Sequence, residues 1–384
     1  MRVLMLPDAE FLDRERGLLQ RIEIGLADEG VRLLHAAPAS TVDPSSSDAP
    51  VVYATPITYY DRGLPLTLPL RLSALARAIE TAAPADQSTG ERIVDIVYAL
   101  GASTWGMALG ISQRLGARLV IEVWSASLID PAANMWGRAL AARKVDPRRR
   151  PRENAPTFLT PLAAVASALA RRVPSDRITH VPWGVHPADI GPRAIDLSRC
   201  FTVVLLSSGK NPRAVEDAIS ALALASERIP TLLAFVDAGL AERTPIWKLA
   251  SSSSVGRGLN ERLTVIAELE SRRELITQAD VLLIPEPLGE LRSIVLDAMA
   301  CGMLVVARKD PQVEDLIQGQ TAALVSEPGP HPLAAALIAL AEDHDRAARL
   351  RASAWSYIHD RRAASDHIRV LLAAFDRSMA SALN

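Results

Sequence analysis

The sequence predicts an α/β protein made of two domains, each a parallel sheet covered by helices. Three observations lead there. Short apolar runs of strand character alternate with segments of helical period. A stretch rich in proline and glycine interrupts that alternation near the middle, and the 384 residues exceed what one hydrophobic core ordinarily serves. The runs of the first half are RVLML, VRLLHA, VVYAT, DIVYAL and RLVIEVW, and helices fit between most of them, for example over 14–29 and 104–116. The second half repeats the habit with FTVVLL, TLLAFVDA, LTVIAEL, VLLI, MLVVA and AALVS. Between the halves, THVPWGVHPADIGPRAIDLSRC carries Pro182, Gly184, Pro187, Gly191 and Pro192, which break any period and mark a linker. No repeat of solenoid period occurs, although the halves read as two copies of one architecture.

Composition narrows the function. Hydrophobic residues are 49% and charged residues 22%, with a formal net charge of −2, the profile of a soluble globular protein. Nothing in that balance argues for nucleic acid as a partner. The opening MRVLMLP is too short an apolar run for a secretory signal, and no run reaches the length of a spanning helix; a cytoplasmic location is expected. Cys200 and Cys301 lack metal-ligand spacing, which fits a reducing compartment and no disulfide framework. The stretch RKVDPRRRPR over 143–152 holds six basic residues and one acid. It reads either as a solvated loop or as a peripheral docking site for an acidic acceptor or an anionic lipid surface. From about His331 the chain is Ala-rich and helical, with few breakers.

Candidate chemistry concentrates in VLLIPEPLGELRSIVLDAMACGMLVVA. Residues 281–284 read as a strand buried on both faces, and Leu291, Ile294, Val295, Ala298 and Met299 recur on one helical face. Gly302 stops that helix, and a further strand runs from Met303 to Ala307. In open parallel sheets ligands collect at loops leaving the carboxyl ends of strands. Glu290, Ser293 and Asp297 are spaced to share the face opposite the apolar stripe, so a polar row, a loop stiffened by Pro285 and Pro287 and a helix start meet there. Helix N-termini attract anions, phosphate above all, and Arg292 adds a cation. A second such start follows FTVVLL, where SSGKNPRAVEDAI offers Gly209 for a tight turn, Lys210 and Arg213 as cations, and a helix opening near Pro212. Two cationic helix starts suit a diphosphate. Singly, each feature also reads as ordinary surface charge; their conjunction carries the argument.

Other chemistries find no support. No G-x-G-x-x-G opens a helix after a strand, since GRGLN at 256–260 precedes the strand LTVI, and no G-x-x-x-x-G-K-[ST] loop occurs. The seven histidines show no H-x-x-x-H pairing, and no G-x-S-x-G elbow is present. Nicotinamide, metal and acyl-transfer enzymes rank low.

The run GELRSIVLDAMACGMLVVA, with VEDLIQGQTAALVSEPGPHPLAAALIALAED after it, resembles the C-terminal signature of family 4 glycosyltransferases, retaining enzymes of the GT-B architecture. VPWGVHP is similar to that family's I-P-N-G-V-D linker, ADVLLIPE to its strand before the active-site loop, and RERGLLQRIEIGLADEGVRLL to its first helix and second strand. The resemblance covers nearly the full chain and is strongest over 279–345. It implies two Rossmann-like domains with parallel sheets facing across a cleft: an acceptor-side domain over 1–183, a nucleotide-sugar donor domain over 184–360, and a C-terminal helix over 361–384 packing back on the first.

The resemblance further implies transfer of a sugar, with retention, from a nucleotide-diphosphate donor to a hydroxyl acceptor (a glycan, lipid or small molecule), with no cofactor and no required metal. Asp297 stands for the second carboxylate of an E-x(7)-E motif, which holds ribose hydroxyls, and is one methylene shorter. Lys210 or Arg213 stands for the basic residues on the leaving diphosphate, without the family's R-x(4)-K spacing, while backbone N–H groups of Leu291, Arg292 and Ser293 cradle it. The motif's first carboxylate falls at Gly289, which has none, so Glu290 or Glu286 takes its place from a shifted loop, Glu290 being favoured by its position before the helix. The glycine pair of the family's first loop is missing in PDAEFLDRERG, and Trp124 stands where many members carry a histidine near the sugar. With these departures the other reading is a non-catalytic homologue that binds a sugar nucleotide or a partner protein.

Overall fold

The computed structural model describes residues 1–41, 57–60, 65–83, 92–142, 155–186, 199–246, 248, 259–267, 269 and 278–380. The chain divides into two compact units, residues 1–184 with 364–384, and residues 185–363. Unit 1 contains β1 (Arg2–Pro7), α1 (Ala9–Asp28), β2 (Arg32–Pro38), β3 (Ile57–Tyr59), α2 (Leu68–Ala82), β4 (Ile96–Leu100), α3 (Trp105–Leu115), β5 (Arg118–Glu122), α4 (Ile129–Ala142), β6 (Thr157–Thr160), α5 (Ala163–Leu169) and β7 (Ile178–His180). Among the described residues its strands form one sheet in the order β3-β2-β1-β4-β5-β6-β7, every pair parallel.

The helix expected over 14–29 starts earlier, at Ala9, because Asp8 caps it: the carboxylate accepts the Phe11 N–H at 2.8 Å. Strands β6 and β7, of four and three residues, were not expected from the sequence, since so short a run shows no readable period. The run VVYAT and the basic stretch 143–152 lie outside the described residues.

Unit 2 contains β8 (Phe201–Leu205), α6 (Pro212–Arg228), β9 (Leu232–Asp237), α7 (Ala238–Arg243), β10 (Leu263–Ile266), β11 (Val281–Ile284), α8 (Ser293–Ala300), β12 (Leu304–Arg308), β13 (Ala323–Val325), α9 (Pro330–Glu342) and α10 (His344–Arg361). Its described strands are again all parallel, in the order β10-β9-β8-β11-β12-β13. Counted from its own first strand this is 3-2-1-4-5-6, the order of the first six strands of unit 1. Both sheets therefore reverse direction of winding between their first and fourth strands, the place where open α/β sheets receive ligands. The core between sheet and helices joins Val203, Leu283 and Val306 to Val215, Leu222 and Leu337. Full burial of such side chains contributes about 1.5–3 kcal/mol each.

The last helix, α11 (Ala364–Ala380), belongs to unit 1 and packs on α1 and β5. Its Phe375 meets the Tyr98 ring edge-on at 5.4 Å. Before it, Arg362 clamps Asp315 with two parallel bonds, Nε to Oδ1 at 2.7 Å and Nη2 to Oδ2 at 2.8 Å, and the Tyr357 hydroxyl donates to Oδ1 at 2.9 Å. The Val185 N–H donates to the Arg362 carbonyl at 2.8 Å, so both chain crossings out of unit 2 are tied to one another. In unit 1 the buried Glu122 accepts Tyr98 Oη at 2.6 Å and Trp183 Nε1 at 2.9 Å, fixing the residues just before the boundary. No described helix is long and apolar enough to cross a membrane.

Candidate active site

The site lies at the carboxyl ends of β8, β11 and β12, around the winding reversal of unit 2. Leaving β8, the chain makes a turn at Ser207, Ser208 and Gly209, with Gly209 at φ 69°, a conformation glycine adopts without steric cost. Asn211 then caps α6 by accepting the Ala214 N–H, and Pro212 occupies the first helical position. Lys210 and Arg213 stand exposed at this helix start, and neither side chain bonds or pairs with a described residue.

Leaving β11, the loop of Pro285 to Arg292 runs into α8. The helix begins at Ser293, two residues later than the apolar spacing suggested. A larger correction concerns its polar row. Glu290, Ser293 and Asp297 were expected on a face opposite the apolar stripe, yet every residue of α8 is buried, with Asp297 at 6% exposure and Ser293 at 4%. α8 packs against β12 and α10. Leu291 and Arg292, whose N–H groups were expected to face the diphosphate, are buried as well. Glu290 and Arg292 pair inside the protein, Oε1 to Nη1 at 3.7 Å.

Carboxylates lace the three strand-end loops together. Glu286 Oε1 accepts the Ser207 hydroxyl at 2.7 Å, the Ser208 N–H at 2.8 Å and the Ser208 hydroxyl at 2.9 Å. Asp310, after β12, accepts the Gly289 N–H at 2.8 Å and the Gln312 N–H at 2.9 Å. Gly289 sits at φ 66°, and a Cβ built there would lie 3.2 Å from Gln312 Oε1, so the loop is shaped for glycine where the resembled motif has a carboxylate. Among the sequence-derived candidates, Lys210, Arg213 and Gly209 thus gather on the β8 loop, and Glu286, Glu290, Leu291, Arg292, Ser293 and Asp297 on the β11 loop and α8. The roles of Ser207, Ser208, Asp310 and Gln312 escaped the sequence reading, because such residues carry no spacing signal of their own.

Comparison with known proteins bears on this arrangement. Residues 201–343 match the family model described as glycosyl transferases group 1. The match falls within unit 2. No curated protein sequence matches the chain at a significant level. Solved structures match both units together. HepE from Anabaena, crystallised with UDP and glucose, aligns at TM-score 0.70 and 16% identity over 98% of this chain and 99% of its own. Sucrose-phosphate synthase from Thermosynechococcus elongatus aligns at TM-score 0.71 and 15% identity over 99% of each chain. A glycosyltransferase from Rickettsia africae aligns at TM-score 0.65 and 12% identity over 98% of each. The fold is thus the two-unit GT-B architecture of these glycosyltransferases.

Unit 1 shows why its first loop lacks the glycine pair. Asp8 accepts the Ser103 hydroxyl at 3.0 Å and the Ser103 N–H at 3.3 Å, and its side chain fills the space beside Gly101, where an added Cβ would lie 1.9 Å from Asp8 Cγ. Burial raises the Asp8 pKa against the opposing pull of its hydrogen bonds. Trp124 is buried in edge-on contact with Phe11, ring centroids 5.2 Å apart.

Proposed function

We propose that the protein is a retaining glycosyltransferase that moves a sugar from a nucleotide-diphosphate donor to a hydroxyl acceptor. The observation that carries this is the coincidence of the group 1 match with the loop cluster of unit 2, where exposed Lys210 and Arg213 stand beside the loop leading into α8. Asp297 accepts hydrogen bonds from the donor's ribose. Lys210 or Arg213, positioned by the Gly209 turn, meets the diphosphate, helped by the N–H groups of Leu291, Arg292 and Ser293 at the α8 start. Positive charge aimed at a departing diphosphate helps most as its own charge develops, which makes a metal unnecessary in this reading. Glu290 is the carboxylate assigned to the donor sugar, since Glu286 already spends Oε1 on three protein donors. Structures with UDP or UDP-glucose bound exist for HepE, and a uridine diphosphate sugar is the first donor to try. The stretch 143–152 is proposed as the peripheral contact for an anionic lipid or acidic acceptor.

Gly289 favours the second reading, a homologue that binds a sugar nucleotide or partner without turnover, because its backbone is committed to a conformation with no carboxylate. A screen of common sugar nucleotides separates the two. Steady release of nucleoside diphosphate, with transfer to an acceptor, supports the enzyme; saturable binding without release supports the homologue; neither binding nor release sinks the enzyme and the sugar-nucleotide binder alike.

A further inference from the structure

The turn before α6 is closed on itself. Besides donating to Glu286, the Ser207 hydroxyl accepts the Gly209 N–H at 3.1 Å, and the Ser208 hydroxyl accepts the Lys210 N–H at 3.2 Å. The three successive N–H groups of Ser208, Gly209 and Lys210 therefore end, directly or through one serine hydroxyl, on a single oxygen of Glu286. Such a run of amide donors in a turn with one left-handed residue is the usual cradle of an anion. Here the anion is the protein's own carboxylate, 5% exposed and reached from the neighbouring strand.

We infer that Glu286 is a positioning residue: a built-in acceptor oxygen that fills the Ser207–Lys210 turn, sets its shape, and leaves the Lys210 and Arg213 side chains, rather than the turn's amides, to meet the donor's diphosphate. This rests on the donor-site reading for its consequence in binding, while the clamp itself rests on geometry alone. An incoming phosphate cannot use these amides without breaking bonds already made. The same device recurs at the winding reversal of unit 1, where Asp8 takes both donors of Ser103. In each unit a buried carboxylate from one loop binds serine donors of the loop across the reversal.

Only Oε1 of Glu286 accepts these bonds, and glutamine keeps that oxygen. This separates a positioning role from a charge acting on the sugar. The experiment compares Glu286→Gln, Glu286→Ala and the double variant Ser207→Ala with Ser208→Ala, by amide hydrogen exchange without ligand and by calorimetry with UDP. The expected result is protected amides at positions 208, 209 and 210 in the wild type and in Glu286→Gln, protection lost at all three in Glu286→Ala, and protection lost at Gly209 and Lys210 but kept at position 208 in the serine pair, where that N–H still reaches Glu286 directly. UDP affinity should fall about tenfold in Glu286→Ala and in the serine pair, with no further loss when the two are combined, as for groups acting as one unit. In Glu286→Gln it should fall less than threefold. Equal losses in Glu286→Gln and Glu286→Ala would assign the charge a direct role and overturn the proposal, as would unchanged protection in Glu286→Ala. Should Glu286→Ala fail to fold, the serine pair and the glutamine variant decide. If the wild type binds no UDP, the donor-site reading fails, and the exchange data alone judge the clamp.

Discussion

Glu290 and Asp297 are buried carboxylates on either side of the α8 start, and their burial sharpens what substitution should do. In Glu290→Gln the side chain keeps its shape but loses its charge toward Arg292 and the donor sugar. Turnover of an identified donor is expected to drop roughly a hundredfold while UDP affinity holds, the pattern of a group acting mainly in the transition state; parallel losses in both would return Glu290 to a structural pairing with Arg292. For Asp297→Ala, the lost charge-assisted bonds are worth on the order of 1.5–3 kcal/mol, so calorimetry should show UDP bound at least tenfold more weakly.

Glu122 makes a prediction of a different kind. Burial raises its pKa to about 7, and the bonds from Tyr98 and Trp183 only partly oppose that rise. The folded state therefore holds a proton that the unfolded chain has released, and the stability this group contributes falls as pH rises from its ordinary value of 4.5 toward 7, then levels off. Glu122→Gln keeps an oxygen for Trp183, and the Tyr98 hydroxyl can turn to accept from the amide. Its stability relative to wild type should grow from pH 5 to pH 8 by on the order of 1–3 kcal/mol, read from denaturation midpoints; a constant difference would show that Glu122 does not titrate in this window.

At the scale of elements, the sequence was most legible where an element is long or fully buried. β11, apolar throughout, and β12, apolar up to Arg308, announce themselves as runs between helices, whereas β6, β7 and the α8 surroundings depend on neighbours distant in sequence. The α8 case is instructive: a helical wheel with Glu290, Ser293 and Asp297 on one side looks amphipathic, yet all three side chains are buried. The family likeness implies that the C-terminal helix packs back on the first unit, but no local period shows that α1 receives it. Gly25 in α1 faces Ile368 of α11 so closely that an added Cβ would lie 2.4 Å from Ile368 Cγ1. Gly25→Ala should gain helix propensity yet destabilise unit 1 by about 1–3 kcal/mol through overpacking. Chemical denaturation gives the answer, and a stabilised variant would mean that Ile368 moves aside freely.

For the whole molecule, the last helix completes the first unit, as the family likeness implies. α11 buries Ile368, Leu371 and Phe375, and the Thr157 hydroxyl donates to Ser378 at 3.4 Å. A chain ending at Ala363 should expose the faces of α1 and β5 that α11 covers. Limited proteolysis should then cut unit 1 first, with a fragment near 185–363 persisting; simultaneous loss of both units would show that their stabilities are coupled.

What the sequence determined by itself was the alternation of strand and helix, the cationic helix start at Lys210 and Arg213, and the family likeness of the 279–345 region, because period, apolar runs and motif spacing are local properties of the chain. The tertiary structure alone decided that Glu286 turns inward to the serine turn, that Asp310 holds Gly289, and that Asp8 and Glu122 sit buried in unit 1. A carboxylate in the sequence is equally compatible with water, a substrate or a protein donor. Which of these it meets is settled by the strand ends that parallel pairing brings together across gaps of about eighty residues, as between Ser207 and Glu286, and no local pattern encodes that.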